Sequence, residues 1–275
     1  MVLTIKEIEC KSILNRSGLA DYAINPYVGC EHGCRYCYGR FMMRYTGHRE
    51  VWGHFVDIKI NALQVLLKQV ERARRGRVFI SSVCDAWQPL EEKYGITRSC
   101  VEILLAHRFP ITILTKSASA SRDLDLLKGR PGVELGVTLS CLDEPSRRIF
   151  EPRGSSGEER LSLLQKARER DITTYAFLGP ILPYLFDSEE NLRMLLAAFR
   201  DVGVDWVYLD LLNPRPGVWA SLYPSLRDRY PHLIPRYREV LFNREKRIRY
   251  GLRLKEKITK LGRPYSLEEK LHFLW

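Results

Sequence analysis

Between Asp21 and Asn213 short apolar runs alternate with helical patterns, and this alternation restricts the possible fold more than any other feature of the chain. The runs are Asp21–Val28, Arg77–Asp85, Ile111–Ser117, Val133–Cys141, Thr173–Ile181 and Asp205–Asn213. The last five are nearly continuous in Val, Ile, Leu, Phe and Tyr, which suits strands covered on both faces. Ile58–Arg75, Thr97–His107, Ser121–Lys128, Glu158–Arg170 and Ser188–Val202 instead repeat apolar residues at helical spacing. Ser188 followed by Glu189 and Glu190 is a helix-start signal. Repeated strand-then-helix units imply a parallel sheet with right-handed crossovers. The predicted class is α/β; six units form an open or a partial (β/α)6 barrel, since closure takes eight. Functional loops of such folds lie beyond the carboxyl ends of the strands. Cys30–Cys37, Cys84–Asp85, Lys116, Cys141 and Gly179–Pro180 all fall there.

Residues 214–275 depart from the pattern. Prolines at 214, 216, 224, 231 and 235 interrupt it, and Arg236–Leu261 reads as one or two basic helices with Ile248, Leu252 and Ile258 as a thin apolar seam. The expected organisation is a core over 1–213 and a basic, mainly helical extension over 214–275 packed on it. The chain carries 44 Lys and Arg against 33 Asp and Glu, a net charge of +11. Residues 214–263 hold 14 of the former and 4 of the latter, so +10 of the excess lies there. Such a segment favours a polyanionic partner, DNA or RNA; a solvated helix face is the alternative.

A hydrophobic share of 45% with 28% charged residues excludes disordered and fibrous classes. No run approaches the roughly 18 apolar residues of a membrane span. Lys6, Glu7 and Glu9 stand where a signal peptide would have its apolar stretch. The expected location is cytoplasmic, with no membrane partner. Seven cysteines, an odd number with four of them widely scattered, make no disulfide framework, and Cys10 and Cys100 are expected to be inert.

Three of the seven fall within eight residues, Cys30, Cys34 and Cys37, spaced C-x3-C-x2-C with no fourth cysteine nearby. Structural zinc and ordinary four-iron sites take four protein ligands. Three thiolates on one loop leave a metal corner open, where a substrate or cofactor can bind. Gly29 and Gly33 let the chain wrap closely. Zinc with a distant fourth ligand, such as His32 or Cys84, and three unrelated thiols are the competing readings.

The spacing, with Tyr36 before the last cysteine, resembles the radical S-adenosylmethionine (SAM) superfamily. More narrowly, the segment from Asn25 to Arg40 resembles the spore photoproduct lyase-related family, often described as DNA repair photolyase-like. Further blocks carry the likeness: Cys84-Asp85 with Trp87, Gln88, Pro89 and Glu91, then Thr97-Arg98; Thr115-Lys116-Ser117 with Arg122-Asp123; Glu151-Pro152 with Arg160-Leu161; and Gly179 to Pro183. The resemblance implies a [4Fe–4S] cluster on Cys30, Cys34 and Cys37, with SAM on the fourth iron. One electron, from reduced ferredoxin or flavodoxin, then cleaves SAM into methionine and a 5′-deoxyadenosyl radical that abstracts a hydrogen atom from the substrate. The substrate it implies is a nucleic-acid base or lesion. A peptide or small metabolite is the rival, and a non-catalytic iron–sulfur protein that binds nucleic acid is a reading of another class.

By the same resemblance, Tyr36 lies near adenine, Ser82 and Asp85 near the methionine amino group, and Lys116 at its carboxylate. Thr138 and Ser140 share one strand face and are candidates for the ribose hydroxyls. Arg153 is a candidate partner for a carboxylate or phosphate, and Gly179 and Ile181 for backbone contacts to adenine. Related lyases that repair a thymine dimer return a hydrogen atom from a cysteine. Cys84 and Cys141 are the candidates here, with small buried hydrophobes as the alternative.

Overall fold

The computed structural model, which describes residues 2–275, turns the apolar runs into strands and the periodic segments into helices. The strands are β1 (Thr4–Ile8), β2 (Asn15–Arg16), β3 (Tyr22–Ile24), β4 (Tyr27–Val28), β5 (Phe55–Lys59), β6 (Val78–Ile80), β7 (Ile111–Thr115), β8 (Val133–Thr138), β9 (Thr173–Ile181), β10 (Trp206–Leu211) and β11 (Leu271–Phe273). The α-helices are α1 (Ala62–Val70), α2 (Glu91–Tyr94), α3 (Ile96–Ala106), α4 (Leu124–Leu127), α5 (Glu144–Phe150), α6 (Gly157–Arg168), α7 (Glu189–Val202), α8 (Val218–Arg229), α9 (Ile234–Phe242) and α10 (Arg244–Gly262).

The main sheet runs β2-β3-β6-β7-β8-β9-β10-β11. From β3 to β11 every pairing is parallel, and only β2 is antiparallel. The six expected strands stand side by side in chain order, as right-handed β-α crossovers require. A smaller sheet joins β1, β5 and β4. No helix among the described residues is long and apolar enough to cross a membrane.

Side chains divide by strand period. Ile113, Leu135, Val137, Leu178 and Leu209 are fully buried with Leu104, Leu164, Leu195 and Phe199 of the helix layer. Each such burial stabilises by roughly 1.5–3 kcal/mol. Their strand neighbours Leu114, Lys116, Thr138, Phe177, Tyr208 and Asp210 fall on the opposite, inner face. Tyr175 fills that face from β9: its hydroxyl donates to the Ile113 carbonyl (2.8 Å), and its ring meets Tyr208 edge-on at 5.4 Å. A side chain at Gly136 would collide with that ring.

Four expectations change. The helix expected from Ile58 begins at Ala62, because Phe55–Lys59 forms β5, with Phe55, Val56 and Ile58 fully buried. The strand expected over Asp21–Val28 divides into β3 and β4, which join different sheets. Pro26, which lacks an N–H, falls at the break. The strand expected over Arg77–Asp85 stops at Ile80, since β6 spans only Val78–Ile80 and Ser81 takes φ +65°. On α10 the buried positions are Gly251, Leu254, Ile258 and Leu261, whereas Ile248 and Leu252 are 53% and 63% exposed. The true seam is the i, i+3, i+7, i+10 row. The chain then returns to the sheet, where β11 pairs with β10 through Val207 and Leu271.

Candidate active site

The loop bearing Cys30, Cys34 and Cys37 joins β4 to a 3-10 helix over Tyr38–Tyr45. Gly29 takes φ +90°, and a side chain there would strike the Phe55 carbonyl. The Gly33 amide donates to Cys30 O and the Cys37 amide to Cys34 O, both at 3.2 Å, so the loop turns twice. Arg40 fastens it from outside, donating to Cys37 O and Cys34 O at 3.0 Å each. From inside, Gln88 Oε1 accepts from the Glu31 amide (2.8 Å) and Glu31 Oε1 from the Leu90 amide (2.7 Å).

All three thiols are free; Cys30 and Cys34 are buried and Cys37 is half-buried. Burial pushes the Cys34 thiol up to about 12, against the opposing pull of Lys116, and also raises Cys30 and Cys37. A metal that binds here displaces those protons, so loading is coupled to pH. Among the described residues no three His, Cys, Asp or Glu side chains converge on a single ion site. A cluster asks something different, since each thiolate holds a different iron. Three free thiols in one loop, walled by apolar residues and by Lys116, fit that donor set.

Beside the loop lies a buried charged network. Glu151 accepts from the Tyr36 hydroxyl, from Arg160 Nη2 (2.5 Å) and from Arg147 Nη1 (3.5 Å). Arg160 is fully buried and also donates to Thr138 O at 2.8 Å. Burial alone would raise the Glu151 carboxyl, but Arg160 and Lys116 outweigh it and hold it at about 2. The Lys116 ammonium lies 5.8 Å from the Tyr36 ring centroid and stays charged: burial disfavours its charge, while Cys34 and Glu151 restore it.

Asp85 is an anchor at the strand ends. It accepts from the Trp87 amide (3.0 Å), Thr115 Oγ1 (2.7 Å) and the Lys116 amide (2.7 Å), which fixes the backbone that carries Lys116. His32 Nδ1 lies 3.4 Å from Asp85 Oδ2, yet it is buried with no hydrogen bond. Ser140 Oγ, on the inner face of β8 extended, is likewise buried and unpartnered. Orphaned buried atoms of this kind call for a ligand or water. Ser82 holds Asn25 Nδ2 at 3.1 Å, and Thr138 is buried next to the Arg160 contact.

Cys84 packs with Cys30 and Cys37, its thiol 3.5 Å from Ser81 Oγ and pushed up by burial to about 11. Cys141 is buried with Cys34 and Tyr36 and donates toward Asp143 O at 3.6 Å. One of the expected roles meets a different environment. Arg153 donates to the Gly53 carbonyl at 2.7 Å rather than to a carboxylate. The Ile181 side chain packs into the main core, and a side chain at Gly179 would strike the Phe177 ring. Sequence reasoning assigned no role to Glu151, Arg147 or Arg160; the charged Glu151-Pro152 and Arg160 positions were the visible signal.

The sequence matches the Radical SAM superfamily over residues 24–196, and the chain belongs to that superfamily. Members use a [4Fe–4S] cluster and SAM, and the protein is an enzyme of this class. An uncharacterised protein of Methanocaldococcus jannaschii is 35% identical over 189 residues, 68% of this chain and 71% of that one. Another, from Mycobacterium tuberculosis, is 31% identical over 268 residues, 88% and 79% of the two chains. The structure of spore photoproduct lyase complexed with dinucleoside spore photoproduct superposes with a TM-score of 0.70 over 99% of this chain and 82% of that one, at 15% identity. That likeness is one of fold.

Proposed function

We propose that this enzyme performs its radical chemistry on a nucleic acid, at a base or a base lesion. The observation that carries the reading is a row of cations on one face of α10: Lys246, Arg249, Arg253, Lys257 and Lys260. Their spacing of 3, 4, 4 and 3 keeps them on one stripe. At 1.5 Å per residue the row extends about 21 Å. Four of the five line a cavity of about 350 Å3 with Tyr184, from the loop after β9. The row therefore starts near the strand ends, where Arg247 donates to Leu212 O at 2.6 Å. Lys246 and Arg249 have carboxylate partners, and Lys257 donates to Asp187 O at 2.6 Å. Arg253 and Lys260 have no carboxylate partner among the described residues. The fold neighbour whose title names a dinucleoside ligand supports the same reading.

In this account Cys30, Cys34 and Cys37 hold the cluster after losing their protons. When bound, the cluster and SAM supply a carbon-centred radical that abstracts hydrogen. Lys116 binds the SAM carboxylate, held in place by its backbone bond to Asp85. Tyr36 is fixed by Glu151, so its ring presents one orientation to the ligand. Ser140 Oγ and Thr138 face the ligand from β8. The apolar walls exclude water from a reactive species. Cys84, packed against the cysteine loop, is the candidate hydrogen-atom donor to a substrate radical.

Binding titrations with single- and double-stranded oligonucleotides at several salt concentrations test the reading. The expected result is affinity that falls with salt through counterion release. Absence of binding to DNA and RNA even at low salt would redirect the search to a peptide or small metabolite.

A further inference from the structure

The cavity of about 350 Å3 beside α10 has two tyrosines in its wall, Tyr184 and Tyr250. Tyr184 follows β9, takes φ +62° and is 38% exposed. For a bulky residue that backbone angle is an outlier, and outliers of this kind cluster at ligand clamps. The Tyr184 ring lies 5.9 Å from that of Tyr250, and the Arg236 guanidinium stands 5.3 Å from its centroid. Tyr250 braces it from a fixed position, since its hydroxyl donates to Asp187 Oδ2 at 2.7 Å. The wall carries four cations, Lys246, Arg249, Arg253 and Lys257, against the two carboxylates Asp187 and Glu239. Both carboxylates are engaged, Asp187 by Tyr250 and Glu239 by Lys246 at 2.5 Å. Arg253 in the wall and Arg236 beside the ring have no carboxylate partner among the described residues.

We propose that this cavity seats one unpaired nucleotide of a single strand, flanking the nucleotide that reacts. Its base stacks on the exposed Tyr184 ring, the Arg236 guanidinium closes over the base, and its phosphate meets Arg253. The proposal rests on the nucleic-acid reading above and deepens it, because it commits the substrate to an unpaired strand. A row of cations alone suits a duplex and a single strand equally, since both present phosphates. An aromatic ring does not. A duplex keeps its base faces stacked, and only an unstacked base offers one to a tyrosine or a guanidinium plane. Rings that stack bases beside cations that track the backbone hold single strands without regard to sequence. The cavity is at the small end of ligand sites, the size of a single nucleotide rather than of a helix.

The test is fluorescence anisotropy at low salt with cluster-reconstituted protein. The probes are an oligothymidylate, an abasic oligomer with the same number of phosphates, and the oligothymidylate paired with its complement. The oligothymidylate should bind at least about fivefold more tightly than either other probe, the low end for one base stacked on an aromatic ring. Tyr184→Ala should lose that factor for the oligothymidylate and little for the abasic oligomer. Tyr184→Phe should keep it, and Arg253→Glu should weaken both single strands alike. Iron content verifies that each variant is folded; should Tyr184→Ala fail that check, the comparison of the three probes on the unaltered protein decides. Equal affinity for the thymidylate and abasic strands, a preference for the duplex, or a base preference that survives Tyr184→Ala overturns the subsite while the nucleic-acid reading stands. No binding to any probe overturns both.

Discussion

Glu151 holds the site's interior together, because one carboxylate answers Tyr36, Arg147 and Arg160 at once. Removing one member of a buried ionic set costs about 3–5 kcal/mol, so Glu151→Gln should destabilise by that order at pH 7. The Glu151 carboxyl is held at about 2, below its unfolded range. Its stabilisation is therefore complete above that range and lost as pH falls toward 2. Denaturant unfolding of the unaltered protein and Glu151→Gln at pH 7 and pH 3 checks this. The gap between them should narrow at the lower pH, and a constant gap would contradict the account. Lys116 makes a different kind of contribution. Lys116→Ala should weaken SAM binding about tenfold to a hundredfold, the range for a lost charge-assisted hydrogen bond, with the iron content unchanged. Calorimetric titration reads the affinity directly.

At the scale of elements, the cysteine loop and α10 make separable predictions. Replacing any one of Cys30, Cys34 or Cys37 with Ala should abolish iron retention and turnover, read by iron and sulfide analysis. Reversing Arg253 and Lys260 to Glu should weaken oligonucleotide binding and flatten its salt slope, with SAM cleavage unaffected. How far these elements were legible in the sequence depends on what each one obeys. The loop was legible because cluster chemistry dictates residue type and spacing together. β7 to β10 were legible because parallel strands covered on both faces read as apolar runs. β5 was hidden because Phe55, Val56 and Ile58 run directly into the amphipathic pattern of α1. β11 was hidden because its three residues gain their strand character only from pairing with β10. Of the α10 seam Ile258 was placed correctly, but the exposed Ile248 and Leu252 mimic a buried row that Gly251 and Leu254 occupy. In the site, Cys84 and Asp85 stood out by their place at a strand end. Glu151 and Arg160 did not, because their value lies in meeting each other across nine positions of sequence in a buried network.

For the molecule as a whole, the parallel sheet places the cysteine loop, Lys116, Ser140, Asp210 and the loop after β9 at one end. The helices take the opposite face of the strands, which keeps the inner face free for a ligand. The cationic row of α10 reaches that same end through Arg247 and Leu212. The most direct test of the central claim is anaerobic reconstitution with iron and sulfide, reduction, and quantitation of SAM products by mass spectrometry. The account predicts about four irons per chain, with 5′-deoxyadenosine and methionine formed in equal amounts, and neither product from the Cys34→Ala protein. Tight stoichiometric zinc without iron uptake, or a full iron complement with no 5′-deoxyadenosine, would contradict it.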